Sequence, residues 1–265
     1  MTEPTADPRL VTSAPHRFVA RLVYGIYTYC MFLVLGLTAL LGMMLPGLGR
    51  RRGVARALSR LLLFFTGMPL VVKNLERIPA GQCVVVANHA SYLDGVVMTA
   101  ALPPRFGFVI KREMENVPLA GALLRRLGSE FVERFNRHRG GADARRVLRT
   151  AVSGSSLVFF PEGTFAPQPG LGKFHAGAFT IAARAGCPVV PAVVRGTRRA
   201  LPPLKAWPHP GRIEIEFLEP IIAQADTPDA VAIELRDRAR LAILEELREP
   251  DLVAERAAAA AAAAA

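Results

Sequence analysis

The sequence predicts an α/β fold, a largely parallel or mixed sheet flanked by helices, with an N-terminal membrane-embedded helical segment. Two observations predict the α/β domain. From residue 70 onward, short β-rich runs alternate with stretches whose apolar spacing suits helices. Those runs occupy 70–72, 83–87, 106–110, 130–133, 157–160, 189–194 and 213–217. The third observation concerns the N-terminal side: residues 22–49 form 28 consecutive positions without a charge.

Taken in order, residues 1–16 are rich in Pro and Thr, lack periodicity and read as a disordered lead-in. Residues 17–68 read as membrane-anchoring helices. The uncharged stretch exceeds the roughly 20 residues that cross a hydrocarbon core. Arg17 and Arg21 precede it, and Arg50, Arg51, Arg52 and Arg56 follow. It starts too late and runs too long for a signal peptide, and no small-residue cleavage site follows. Tyr24, Tyr27 and Tyr29 sit near one end, as interfacial rings do. A second apolar run, 61–72, is too short to span alone, and Pro46, Gly47 and Gly49 between the runs suit a turn. One full span and a helical hairpin dipping into one leaflet both satisfy this pattern. The arginine cluster at 50–60 places that end, and all that follows, on the cytoplasmic side.

Residues 69–250 read as the catalytic domain. Helical spacing falls at 119–127, 143–152 and 176–185, with Gly186 as a C-cap. Thr227 and Pro228 read as the N-cap and first-turn proline of a last helix reaching about Leu247. Residues 251–265 read as a tail, whose Ala257–Ala265 run carries no functional information. A chain that is 51% hydrophobic with a net charge of +11 excludes wholesale disorder and suits contact with something both greasy and anionic. The stacking aromatics and motifs of nucleic-acid binding are missing. Three widely spaced cysteines, Cys30, Cys83 and Cys187, support neither a disulfide framework nor a clustered metal site.

Charged motifs fall immediately after predicted strands: Asn88–His89–Ala90–Ser91–Tyr92–Leu93–Asp94 after 84–87, Lys111 after 106–110, Arg134 after 131–133, and Pro161–Glu162–Gly163–Thr164 after 157–160. Open α/β sheets place their sites at the carboxyl ends of strands, so these groups are expected to converge on one cleft. His89 can take a proton at neutral pH, and Asp94 on its other nitrogen would fix the tautomer and support the imidazolium. The five-residue spacing works if His89 lies in the strand-to-helix turn and Asp94 in the first helical turn. No G-x-S-x-G elbow supplies a serine nucleophile, and Ser91 is better placed to cap the helix. A base without a protein nucleophile implies that the substrate brings the attacking oxygen. Glu162, between an apolar strand and a glycine turn, is placed to orient a hydroxyl or pair with Arg134. Arg134 could hold a phosphate, and Lys111 could stabilise an oxyanion. Arg195, Arg198 and Arg199 read as a solvated basic loop.

With these motifs in view, residues 70–220 resemble the 1-acyl-sn-glycerol-3-phosphate acyltransferase family of glycerolipid acyltransferases. Asn88–Asp94 resembles its N-H-x-x-x-x-D motif, and Lys111–Arg112–Glu113 a lysine-bearing segment that follows. Glu130–Arg134 is similar to a second motif, Phe160–Thr164 to a third and Val189–Ala192 to a fourth, all in the family's order. The resemblance implies catalysis by His89 and Asp94, substrate binding by Lys111, Arg134, Glu162, Gly163 and Thr164, and no metal or cofactor. It implies transfer of a fatty acyl group from acyl-CoA or acyl-carrier protein to a lysophospholipid at the cell inner membrane. Two departures concern the acceptor: Phe165 stands where arginine or serine is common, and His175–Ala176 where a basic pair is common. Lysophosphatidic acid is the expected acceptor; a lyso-ornithine lipid or another lysophospholipid would also fit those changes. A transacylase independent of CoA is a further alternative.

Overall fold

The computed structural model describes residues 13–133, 137–165, 168–203 and 207–264. Each of the seven β-rich runs becomes a strand: β1 (Leu70–Lys73), β2 (Val84–Ala87), β3 (Phe106–Lys111), β4 (Glu130–Val132), β5 (Ser156–Phe159), β6 (Val189–Arg195) and β7 (Ile213–Phe217). They form one sheet in the order β1-β7-β6-β2-β5-β3-β4. β6, β2, β5, β3 and β4 are mutually parallel, whereas β7 pairs antiparallel with β6 and carries β1 parallel to itself. The sheet is therefore mixed.

Burial explains the strand sequences. β2 lies inside the sheet and is buried on both faces, which is why it reads as an unbroken Val-Val-Val-Ala run. β7 has one wet face, and its Ile-Glu-Ile-Glu-Phe alternation follows the two-residue period of a strand. The glutamates on that face pair with neighbours: Arg195 reaches Glu214 at 3.1 Å and Glu216 at 2.8 Å.

Helices cover both faces. Val84, Val86, Leu157 and Phe159 share one core with α5 (Arg137–Val152), α6 (Gly177–Ala185) and α8 (Pro228–Leu247). Val85, Ala87, Val158 and Val190 share the other with α3 (Leu93–Ala101) and the end of α2 (Leu48–Phe65). α4 (Ala120–Arg126), the four-residue α7 (Thr197–Ala200) and α9 (Leu252–Ala264) complete the α-helices of the described residues. As expected, Thr227 caps α8 by accepting from the Ala230 N–H at 3.3 Å, with Pro228 in the first turn.

The N-terminal segment is a helical hairpin. α1 (Ser13–Gly42) has 30 residues, about 45 Å at 1.5 Å per residue. The chain reverses near Gly47, whose φ of 86° suits glycine, and α2 returns along α1. The run 61–72 divides between the end of α2, a turn and β1. From His16 to Gly42, α1 is long and apolar enough to cross a membrane, and most of it is exposed. Phe18, Val23, Ile26, Leu33 and Leu41 are all more than half exposed.

Two sets of polar contacts dock this segment. Tyr24 and Tyr27, expected at a membrane interface, donate to the carbonyls of Thr66 and Phe65 at 2.7 and 3.0 Å and so tie α1 to the end of α2. Four arginines of the segment, read as marking the cytoplasmic end, donate to carbonyls at or near helix C-termini. Arg60 donates to the Ala100 carbonyl at 2.8 Å and Arg56 to that of Ala101 at 3.4 Å, closing α3. Arg51 reaches the Arg126 carbonyl at 3.4 Å, while Arg52 reaches those of Leu127 at 2.9 Å and Arg105 at 3.0 Å. The last carbonyls of a helix have no partner inside it and carry its partial negative charge, so a guanidinium there is favoured twice over.

Asp143 of α5 fastens that helix to β3 and β4. It accepts from Arg112 at 2.6 Å, from Arg146 at 2.8 Å and from the Glu133 N–H at 2.9 Å. Burial alone would raise the Asp143 carboxyl, but these donors outweigh it and hold the group at about 2 against a reference of 3.8. A lowered carboxyl stabilises the fold above its unfolded value, and that stability is lost as pH falls through the folded one. Asp143→Asn should therefore cost about 2 kcal/mol near neutrality. The gap between variant and wild type in thermal unfolding should narrow from about pH 4 and close near pH 2.

Candidate active site

The strand order brings the carboxyl ends of β2 and β5 side by side, with Val86 in register with Phe159. Chain leaving β2 supplies Asn88 and His89; chain leaving β5 supplies Phe160, Pro161 and Glu162. His89 lies in the strand-to-helix turn and Asp94 in the first turn of α3. The two meet at 2.8 Å between His89 Nδ1 and Asp94 Oδ2. The same Oδ2 accepts from the Ala90 N–H at 2.7 Å and the Ser91 N–H at 2.9 Å. Asp94 is fully buried, and the ring and both N–H groups all meet one of its oxygens, Oδ2. An acceptor-only oxygen opposite Nδ1 puts the imidazole proton on Nδ1 and leaves the Nε2 lone pair free to accept one. The side chain remains 19% exposed, so the ring has an open side.

Three further contacts fix the ring and its backbone. Asn88 is buried at the end of β2, donates to the Val194 carbonyl at 2.9 Å and accepts from the Val194 N–H at 2.8 Å. It thereby joins the end of β2 to β6 through one side chain. Phe160 stacks on the His89 ring with centroids 4.4 Å apart, and Phe165 approaches edge-on at 4.8 Å. Tyr92 leans on Phe165 in turn, also at 4.8 Å. Ser91 Oγ is occupied: it donates to the Leu201 carbonyl at 2.8 Å and accepts from the Leu93 N–H at 3.2 Å. It braces the start of α3.

Both Glu162 carboxylate oxygens are taken up by main-chain donors. Oε1 accepts from the His89 N–H at 2.7 Å and Oε2 from the Gly172 N–H at 2.8 Å. Burial raises the Glu162 carboxyl, opposed by those two N–H groups, by His89 and by Arg198. Gly163 turns the chain with φ of 79°, and Thr164 is exposed at the mouth of the site. Lys111 pairs with Val132 through the β3–β4 ladder, and the residue is exposed at the tip of β3. Arg134 lies outside the described residues. Arg195 and Arg198, read as a solvated loop, are engaged: Arg195 with the β7 glutamates and Arg198 with the Gln168 carbonyl at 2.8 Å.

The roles of Asn88, Gly172 and the two phenylalanines were not read from sequence. Asn88 had a signal, a polar residue closing a strand buried on both faces. Gly172 had none, because it is required by the approach of Glu162: a Cβ there would lie 2.8 Å from Oε2.

Comparisons with known proteins bear on the family and the fold. The family model described as Acyltransferase matches residues 69–195, a range that takes in His89, Asp94, Lys111, Glu162 and Gly172. An acyltransferase domain is the class that this fold and site define. A 1-acyl-sn-glycerol-3-phosphate acyltransferase of Haemophilus influenzae is 30% identical over 184 residues, 67% of this chain and 74% of that protein. The chloroplastic 1-acyl-sn-glycerol-3-phosphate acyltransferase BAT2 of Brassica napus is 34% identical over 133 residues. That match takes in 49% of this chain and only 38% of the plant protein's length. The fold superposes with a TM-score of 0.68 on the crystal structure of the 1-acyl-sn-glycerophosphate (LPA) acyltransferase PlsC from Thermotoga maritima, at 22% identity, over 88% of this chain and 98% of that one. The chain belongs to the 1-acyl-sn-glycerol-3-phosphate acyltransferase family.

Asn88→Ala tests the brace between β2 and β6. It removes two buried hydrogen bonds and strips Val194 of both partners, so unfolding in urea should show a loss of about 2–3 kcal/mol. An unchanged midpoint would show that β6 needs no such tie.

Proposed function

We propose that this protein moves a fatty acyl group from acyl-CoA or acyl-carrier protein to the free hydroxyl of a lysophospholipid, with 1-acyl-sn-glycerol-3-phosphate as acceptor and phosphatidic acid as product. The observation that carries this reading is a His89–Asp94 pair at the carboxyl edge of the sheet beside a serine whose hydroxyl is already engaged. His89 Nε2 takes the proton of the acceptor hydroxyl as its oxygen attacks the thioester carbonyl. The C–S bond then breaks, and the imidazolium returns the proton to the departing thiolate. Asp94 stabilises the imidazolium between these steps. Lys111 meets the thioester oxyanion, Arg134 binds the acceptor phosphate, and Gly163 and Thr164 shape the turn beside it. Glu162 sets the His89 main chain. The acyl donor is a co-substrate, and the steps draw on no further cofactor.

The exposed apolar face of α1 and the outward Phe64 and Phe65 of α2 support attachment to a phospholipid membrane, which keeps a greasy acceptor near the site. We place the catalytic domain on the cytoplasmic side of the inner membrane. A different lysolipid acceptor, such as a lyso-ornithine lipid, has one observation in its favour: Phe165 presents an apolar edge to His89 at the mouth of the site.

His89→Ala should lower kcat for acyl transfer by about 10²–10⁴-fold while the unfolding temperature stays within a few degrees of wild type. Near-normal turnover in that variant would remove the base from the mechanism. The full chain should float with anionic phospholipid vesicles, and Val23→Glu with Phe64→Glu should return it to the soluble fraction. Flotation undiminished in that double variant would contradict attachment through the hairpin.

A further inference from the structure

The turn between α8 and α9 lies beyond residues 69–195, the part of the chain matched by the family model, yet it is sewn to the loop that supports His89. Glu249 accepts from the Gly170 N–H at 2.7 Å, and the Pro250 carbonyl accepts from the Leu171 N–H at 2.9 Å. The Leu252 N–H returns a bond to the Leu171 carbonyl at 3.2 Å. Gly170, at φ of 134°, leaves no room for a side chain, since a Cβ would sit 2.6 Å from Leu252.

Arg240 of α8 joins these pieces. Its guanidinium donates to the Leu171 carbonyl at 3.3 Å and the Gly172 carbonyl at 3.0 Å. Its other contacts go to both oxygens of Asp251, at 2.5 and 3.1 Å, and they hold that carboxyl down at about 2. Asp251 Oδ1 also accepts from the Val253 N–H at 2.9 Å, at the start of α9.

The Leu171–Gly172 peptide connects the two sides. It is planar, so a carbonyl held on one edge fixes the N–H on the other. On one edge Arg240 and Leu252 hold the Leu171 oxygen; on the other the Gly172 N–H donates to Glu162, whose second oxygen holds the His89 N–H. We propose that Arg240, backed by Asp251, is a positioning residue for His89, and that the C-terminal turn through Leu252 belongs to the catalytic frame. The effect on turnover rests on the base role given to His89 under Proposed function; the mechanical link does not.

Two readouts on the full-length protein test this. Hydrogen exchange should be compared in wild type, Arg240→Met and Arg240→Lys for peptides covering 86–92 and 170–174. Kinetics of acyl transfer should be measured on the same preparations. Arg240→Met should speed exchange in both segments and lower kcat on the order of 10- to 100-fold, the scale of a small misplacement of a reacting group. KM for thioester and for lysolipid should stay within about twofold. Arg240→Lys, which keeps a donor for one carbonyl, should recover part of both effects. Combining Arg240→Met with Glu162→Gln should cost less than the two losses added together, since both act through one path.

Unchanged exchange at 86–92 would overturn the link whether or not the wild type is active. Faster exchange with wild-type kcat would overturn the positioning role. A wild type that transfers no acyl group to any lysolipid would overturn the proposed function, and the exchange data would still decide the link. Should Arg240→Met fail to fold, Asp251→Asn loosens the same guanidinium and carries the same expectations.

Discussion

One carboxylate, that of Glu162, holds the catalytic edge of the sheet in shape. Parallel strands end in divergent loops, and two neighbouring loops have no ladder hydrogen bonds to keep them together. Glu162 closes that gap between β2 and β5 by accepting from main-chain N–H groups on either side. Such charge-assisted bonds are stronger than neutral ones, and they offset part of the cost of desolvating the acid. That cost is visible in the raised Glu162 carboxyl. Because the acid grips the backbone of His89 rather than its ring, the imidazole is left to Asp94 on one side and open on the other.

Around this bond the molecule divides its tasks by layer. The parallel core strands fix where the loops emerge, and the helices on one face deliver Asp94 from α3. The opposite face supplies α6 and α8 and, through α8, the contacts that hold the glycine loop. The helical hairpin stands apart in composition but is docked by polar bonds: tyrosines at the end of α2, arginines at the ends of α3 and α4, and Trp207 donating to the Arg21 carbonyl at 3.0 Å. The apolar surface and the candidate site are thus joined by polar contacts.

Much of this was legible in the sequence, for identifiable reasons. All seven strands could be read because buried parallel strands are runs of β-branched residues with few competing patterns, and β7 shows its half-wet face by alternation. His89 and Asp94 could be paired because a five-residue offset across a strand-to-helix turn is a local geometry. The antiparallel course of β7 could not be read, since alternation gives the exposed face and not the direction. The carbonyl contacts of the arginines at 50–60 could not be read, because a cation near an apolar helix suits a headgroup and a helix C-terminus equally well, and only tertiary packing chooses. Glu162 was singled out, but its partners are the main chains of His89 and Gly172, and backbone N–H groups leave no mark on the sequence. Arg240 and Asp251 were missed because they act on the site through another loop.

The central claim is that the acceptor hydroxyl, and no group of the protein or solvent, attacks the thioester. The most direct measurement follows thiol release from labelled acyl-CoA with and without 1-acyl-sn-glycerol-3-phosphate, with the labelled lipid products identified. Thiol release that needs the acceptor and matches phosphatidic acid mole for mole is the result predicted. Steady thiol release without acceptor, with the label recovered as free fatty acid, would contradict it and make the protein a hydrolase.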